Sequence, residues 1–297
     1  MLRCTVLSMV ILGSLAIPAR APLAQGHDQH HPAADATASG HVAHDTSRGL
    51  PASAAEAQAR LDASPRHGEW VMIATGPSDS VRAWVVYPER KTKAPVVVVI
   101  HEIFGLSPWV RAVADQFAAD GFIAIAPDLL TSKNIPGSPL TPNPDSARVA
   151  IRTLDRDVIH RQLTAVGGYG TSLPAATGKY GIVGFCWGGS EAFWHAVYDP
   201  ALSASVVYYG TAPDTARLTS VRAPVLGLYG ENDARVNATI APAQASMKAL
   251  GKTYEPVIFT GAGHGFLRAQ ADQGGANLAA TREAWPRTVA WFRKYLE

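Results

Sequence analysis

The sequence predicts an α/β fold, a doubly wound and mostly parallel sheet of about eight strands flanked by helices. Three observations predict it. From residue 67 onward, short apolar runs alternate with helix-length amphipathic stretches, the pattern of βαβ units. Ala94-Pro95-Val96-Val97-Val98-Val99-Ile100 is continuously apolar, as a parallel strand covered on both faces requires. Finally, the apolar run at 180–183 leads through Gly184-Phe185-Cys186-Trp187-Gly188-Gly189 into a helix-like segment at 190–198, which reads as strand, tight turn, helix.

Taken in order, residues 1–24 read as a secretory signal peptide. Arg3 makes the positive start, residues 6–17 the apolar core and residues 18–24 the small-residue end. A membrane anchor is the alternative, but the apolar run falls short of the roughly 18–20 residues that span a bilayer. Residues 25–66 are rich in Ala, His, Asp, Ser and Gly and are expected to form a flexible tether, with a short helix around 54–61. Its His27, His30, His31, His41 and His44 leave two readings open: weak Zn or Cu binding, or a solvated tail.

Residues 67–297 are expected to fold as one domain. Strands are predicted at 69–74 and 81–87, paired as a hairpin, then at 94–100, 122–126, 180–185, 204–209, 224–229 and 254–259. Helices are predicted at 108–119, 145–165, 190–198, 241–250 and 277–295. Two long connections, 131–144 with four prolines and 211–224 with Asp214, Arg217 and Arg222, leave strand ends on the edge where open sheets keep ligands. They are expected to wall a pocket.

Charge and cysteine content narrow the function. The formal net charge is +2, and loss of Arg3 and Arg20 with the signal brings it to zero. No basic field remains for nucleic acid or an anionic membrane, so no nucleic-acid or membrane partner is expected for the mature chain. Cys186 is then the one cysteine left, with no internal disulfide to make. It is either packed away or kept for chemistry.

The turn at Cys186 favours chemistry. A nucleophile on so sharp a bend takes strained dihedrals, and glycine neighbours let strand and helix approach. It also sits beside the first free N–H groups of the next helix, which stabilise a thiolate or an oxyanion. A cysteine nucleophile needs a base and a group to orient that base. Asp233 follows the strand at 224–229, and His264, in Gly263-His264-Gly265-Phe266, follows the strand at 254–259. Glu231 and Asp214 are rival acids, with Asp233 in the better register. Glu102 begins the loop after the Val-rich strand and is expected to hold the Cys186 thiol proton at rest. The neighbouring His101 is expected to be structural.

These motifs resemble the dienelactone hydrolase family (carboxymethylenebutenolidases), from about residue 65 to 297. The likeness rests on Glu102-Ile103-Phe104-Gly105, Ala126-Pro127-Asp128-Leu129, the Cys186 hexapeptide, Tyr208-Tyr209-Gly210 and the His264 turn. It implies an α/β-hydrolase fold and a Cys186, His264, Asp233 triad assisted by Glu102. It also implies backbone oxyanion donors at Ile103 and Trp187 and no metal or organic cofactor. Arg268 and Tyr209 become candidate substrate-binding residues. The loop arginine of the family has no counterpart after Asp128, where Lys133 is the nearest positive charge. The expected partner is a small ester or lactone, met by a secreted or periplasmic monomer. A general esterase or thioesterase, or a non-catalytic metal- or ligand-binding protein, is the other reading.

Overall fold

The computed structural model describes residues 49–297. The predicted signal peptide, the histidines at 27–44 and any metal they would bind therefore lie outside the described residues. Eight strands form one sheet in the order β1-β2-β4-β3-β5-β6-β7-β8. β1 (Gly68–Gly76) and β2 (Asp79–Val86) make the expected antiparallel hairpin. β2 is also antiparallel to β4 (Ile123–Asp128). β3 (Ala94–Ile100), β5 (Ala176–Phe185), β6 (Ala204–Tyr208), β7 (Val225–Asn232) and β8 (Tyr254–Gly263) continue in parallel.

Helices cover both faces, which is why β3 is buried along its whole length. α1 (Ala57–Asp62), α2 (Pro108–Ala119) and α8 (Ala276–Leu296) pack on one side. α4 (Arg156–Ser172), α5 (Trp187–Tyr198) and α7 (Ile240–Ala249) pack on the other. Two short helices, α3 (Pro144–Ile151) and α6 (Ala234–Asn237), follow the carboxyl ends of β4 and β7.

Three expectations are corrected. The tether does not extend to residue 66. Leu50, Ala52 and Ala57 are buried, the Trp109 indole N–H donates to the Ala52 carbonyl, and the Gln270 amide donates to that of Pro51. These small residues look like linker by composition, but a groove against α2 accepts them. The single helix at 145–165 is two. The Asp155 carboxylate accepts from the Val158 N–H and starts α4 afresh, while the Thr153 hydroxyl closes α3 on the Ala150 carbonyl. The strand at 180–185 begins four residues earlier, because Ala176 pairs with Ala94 across the sheet.

The carboxyl ends of β3, β5, β6, β7 and β8 lie along one edge of the sheet. Helix α5 is seated there very closely. A Cβ on Gly184 would fall 1.9 Å from the Gly188 carbonyl oxygen, and one on Gly188 would fall 2.3 Å from that of His101. Only glycine at both places lets α5 rest directly on β5 and β3.

Candidate active site

Cys186 stands between β5 and α5 with φ 56° and ψ −116°. A side chain in that region is strained, and strain of this kind persists only where surrounding structure holds it. Here the Cys186 N–H donates to the Tyr208 carbonyl at 3.1 Å and its own carbonyl accepts from Ser190 at 3.1 Å. The sulfur is therefore fixed at the positive end of α5, beside the Trp187 backbone N–H, which favours the thiolate. Burial, and after it the charge of Glu102, nevertheless pushes the thiol up to about 11. Arg235, on α6, pulls the other way.

Glu102 leaves the end of β3 and is buried, with 3% of its surface exposed. Arg268 Nε lies 2.8 Å from its Oε2, close enough for an ion pair but off the hydrogen-bond axis. Burial raises the Glu102 carboxyl to about 7 against the pull of Arg268 and of the Tyr209 hydroxyl. That hydroxyl is in reach of the carboxylate without an aligned hydrogen bond. Tyr209, at φ 40°, continues from β6 and is fully buried, with its ring centroid 5.1 Å from that of His264.

Asp233 ends β7, and His264 follows β8. The His264 Nδ1 lies 2.5 Å from Asp233 Oδ2, so Nδ1–H donates to the carboxylate and leaves Nε2 free. Asp233 also caps α6 by accepting from the Val236 N–H. The rival acid Glu231 is used elsewhere, accepting from the Gly261 N–H at 2.8 Å. Among the described residues no hydrogen bond joins Cys186 to His264.

The remaining predicted residues divide. Ile103 and Trp187 both rest on a small apolar cluster of Leu130, Ile135, Ala147 and Ile151, so the 131–144 connection and α3 do form a wall beside Cys186. Lys133 lines a surface depression with Ile135, Pro136, Asp145 and Val149. A second cation, one the sequence did not single out, stands against Phe104. The guanidinium of Arg148, on α3, lies 4.9 Å from the Phe104 ring centroid, and that of Arg268 lies 5.1 Å from the same ring. A lone arginine on an exposed helix face has no sequence signature, and α3 itself was merged into a longer helix. Arg235 was missed for the same reason.

Among the described residues no group of three His, Cys, Asp or Glu side chains is arranged to hold a metal. The donors here are acid–base groups: a shielded thiol, a buried carboxyl, an oriented imidazole and two guanidinium groups. Together they fit nucleophilic attack on an electron-poor carbonyl that carries or develops negative charge.

Comparison with known proteins gives the same direction. The model of the dienelactone hydrolase family matches residues 81–296. A Methylorubrum extorquens protein named "Putative carboxymethylenebutenolidase" is 30% identical over 226 residues, 72% of this chain and 77% of the relative. A Bradyrhizobium protein named "Probable 2-oxo-3-(5-oxofuran-2-ylidene)propanoate lactonase" is 29% identical, over 77% of this chain and 94% of the relative. The crystal structure of a Klebsiella pneumoniae "Putative Dienelactone Hydrolase" superposes with a TM-score of 0.68 at 25% identity, covering 77% of this chain and 99% of that one.

Proposed function

The chain belongs to the dienelactone hydrolase family, and from that membership we propose that it hydrolyses lactones or activated carboxylic esters through a Cys186, His264, Asp233 triad. The observation that carries the reading is the strained Cys186 at the head of α5, with its sulfur beside a backbone N–H and an Asp233–His264 pair on neighbouring strand ends.

A thiol pushed up to about 11 is protonated at neutral pH, so attack requires its proton to be taken first. Glu102 is the nearest carboxylate and is held quiet by Arg268. A substrate bearing an acid group competes for Arg268, helped by Arg148 on the same Phe104 face. Glu102, left without its counter-ion, then accepts the thiol proton. The thiolate attacks the carbonyl carbon, and the N–H groups of Ile103 and Trp187 hold the oxyanion. Losing one such donor typically costs about 10²–10³ in rate. The ring or leaving oxygen departs as an enolate or phenolate, which needs no proton to leave, giving a thioester. Water activated by His264 Nε2 then breaks the C–S bond, and the acid leaves as the thiol is restored.

Thiolate departs more readily than an ordinary alkoxide, so the tetrahedral adduct of a simple alkyl ester reverts. Enol lactones and aryl esters are therefore the preferred class. The test is a panel of lactones, aryl esters and alkyl esters, with Cys186→Ala as control. Equal rates on alkyl and aryl esters would count against this preference, and turnover by the control would remove the nucleophile. We also propose export, on the strength of residues 1–24. Protein that begins at Met1 and stays in the cytoplasmic fraction would overturn that.

A further inference from the structure

We propose that His101 is a positioning residue that sets both backbone donors of the oxyanion site, through one hydrogen bond and one ring stack. The inference rests on the reading of Ile103 and Trp187 just given.

His101 is fully buried, directly after β3. Its Nδ1 lies 2.7 Å from the backbone carbonyl oxygen of Glu102. A carbonyl only accepts, so Nδ1 carries the hydrogen and the tautomer is settled by its partner. That oxygen belongs to the same peptide unit as the Ile103 N–H. The unit is trans, as are all X–X bonds of the described residues apart from Ser138–Pro139. In a planar trans peptide the C=O and N–H point in opposite directions. Clasping the oxygen therefore turns the Ile103 N–H away from the imidazole and holds it there. The Gly105 N–H also donates to the Glu102 oxygen, at 3.3 Å, closing the turn that carries both residues.

The face of the same ring is stacked on the Trp187 indole, with centroids 5.5 Å apart and planes inclined by 23°. Trp187 supplies the second donor from its own backbone N–H. Beneath the stack, α5 touches the His101 carbonyl through Gly188. One imidazole thus touches the Ile103 peptide from one side and the Trp187 residue from another. Its Nε2 has no hydrogen-bond partner, although the buried Asp128 carboxylate is its charged neighbour. An unpartnered buried nitrogen is costly, and a purely space-filling position would not need an imidazole.

The test separates oxyanion stabilisation from thiol reactivity. Hydrolysis of p-nitrophenyl acetate needs both, whereas alkylation of Cys186 by iodoacetamide develops no oxyanion. His101→Phe keeps a ring against Trp187 and removes the N–H. It is expected to lower kcat about 10–100-fold, the scale of a small misplacement of catalytic groups, with KM within about threefold. The Trp187 N–H also neighbours the resting sulfur, so the alkylation rate should fall too, but by less than about threefold. His101→Asn returns a donor near the Nδ1 place and is expected to recover most of kcat. A wild-type kcat in His101→Phe, an equal fall in alkylation, or no recovery in His101→Asn would overturn the proposal. Should the Phe variant fail to fold, His101→Leu is compared with His101→Asn by the same two rates. Wild-type protein alkylated at Cys186 is assayed alongside. Hydrolysis that survives alkylation sinks the cysteine nucleophile, whereas loss on alkylation with an unimpaired His101→Phe sinks this inference alone.

Discussion

Helix α5 joins two clusters of acids, histidines and tyrosines, and they differ in backbone strain and in access. At its head stand Cys186, Glu102, Tyr209, Arg268, Asp233 and His264. Along its inner face stand Glu191, His195 and, just past its end, Asp199, packed against His160 of α4 and Tyr180 of β5. The second cluster is tied together mostly by hydrogen bonds. The Tyr180 hydroxyl donates to Asp199 at 2.7 Å, so His195 Nε2–H must donate to the Tyr180 oxygen at 3.1 Å. His195 Nδ1 then accepts from His160 Nδ1–H at 3.2 Å, and His160 Nε2 lies 3.2 Å from a Glu191 carboxylate oxygen, off the hydrogen-bond axis. Burial, and then the neighbouring His160, holds His195 down at about 3, so it is the neutral member. At the head of α5, by contrast, the backbone is strained at Cys186 and Tyr209, and His264 reaches solvent. Groups of similar type become a candidate site only where backbone strain and access coincide.

The largest test of that contrast exchanges activity for stability. Cys186→Ala should lower hydrolysis by at least about 10³-fold, given what loss of a nucleophile does elsewhere, with thermal unfolding nearly unchanged. Glu191→Leu should do the reverse. Removing one partner of a buried ion pair costs about 3–5 kcal/mol, while the folded fraction keeps its kcat. Denaturant unfolding and active-site titration check both, and an inactive, stable Glu191→Leu would erase the distinction between the clusters.

Glu102→Gln sharpens it further. Its charge is one of the causes that raise the Cys186 thiol. Its removal should speed alkylation by iodoacetamide several-fold at pH 8 while slowing hydrolysis; equally slow labelling would deny Glu102 any shielding role. The stability sign follows from the same burial. A carboxyl raised to about 7 from its ordinary 4.5 favours the fold below pH 4.5, and that contribution is lost as pH rises through 7. The variant should therefore gain stability relative to wild type above pH 7 and not below pH 4.5, as melting at several pH values will show.

The smallest effect concerns the two cations near the wall. Arg148→Ala should raise KM about 3–10-fold for esters carrying a carboxylate and leave neutral esters alone, since each exposed charge adds only a modest attraction. Lys133→Ala should change neither. Equal behaviour of the two variants would remove Arg148 from substrate recognition.

Much of this was legible in the sequence because it is local. Apolar runs of strand length, the glycines around Cys186 and the order of Cys186, Asp233 and His264 along the chain are one-dimensional features. The break between α3 and α4 was less legible, since a cap at Asp155 competes with a continuous amphipathic pattern. The burial of Leu50 and Ala52 was not legible at all, because small residues signal a linker until a groove is there to receive them.

By itself the sequence determined the sheet, the turn that carries the sulfur and the family to which the chain belongs, because periodicity and turn chemistry act over a few neighbouring residues. Only the tertiary structure decided which charges meet. Arg268 on Glu102, Arg148 on Phe104 and His101 between the Glu102 carbonyl and Trp187 join residues distant in the chain. Such encounters depend on how helices are seated on the sheet, and no local pattern records that.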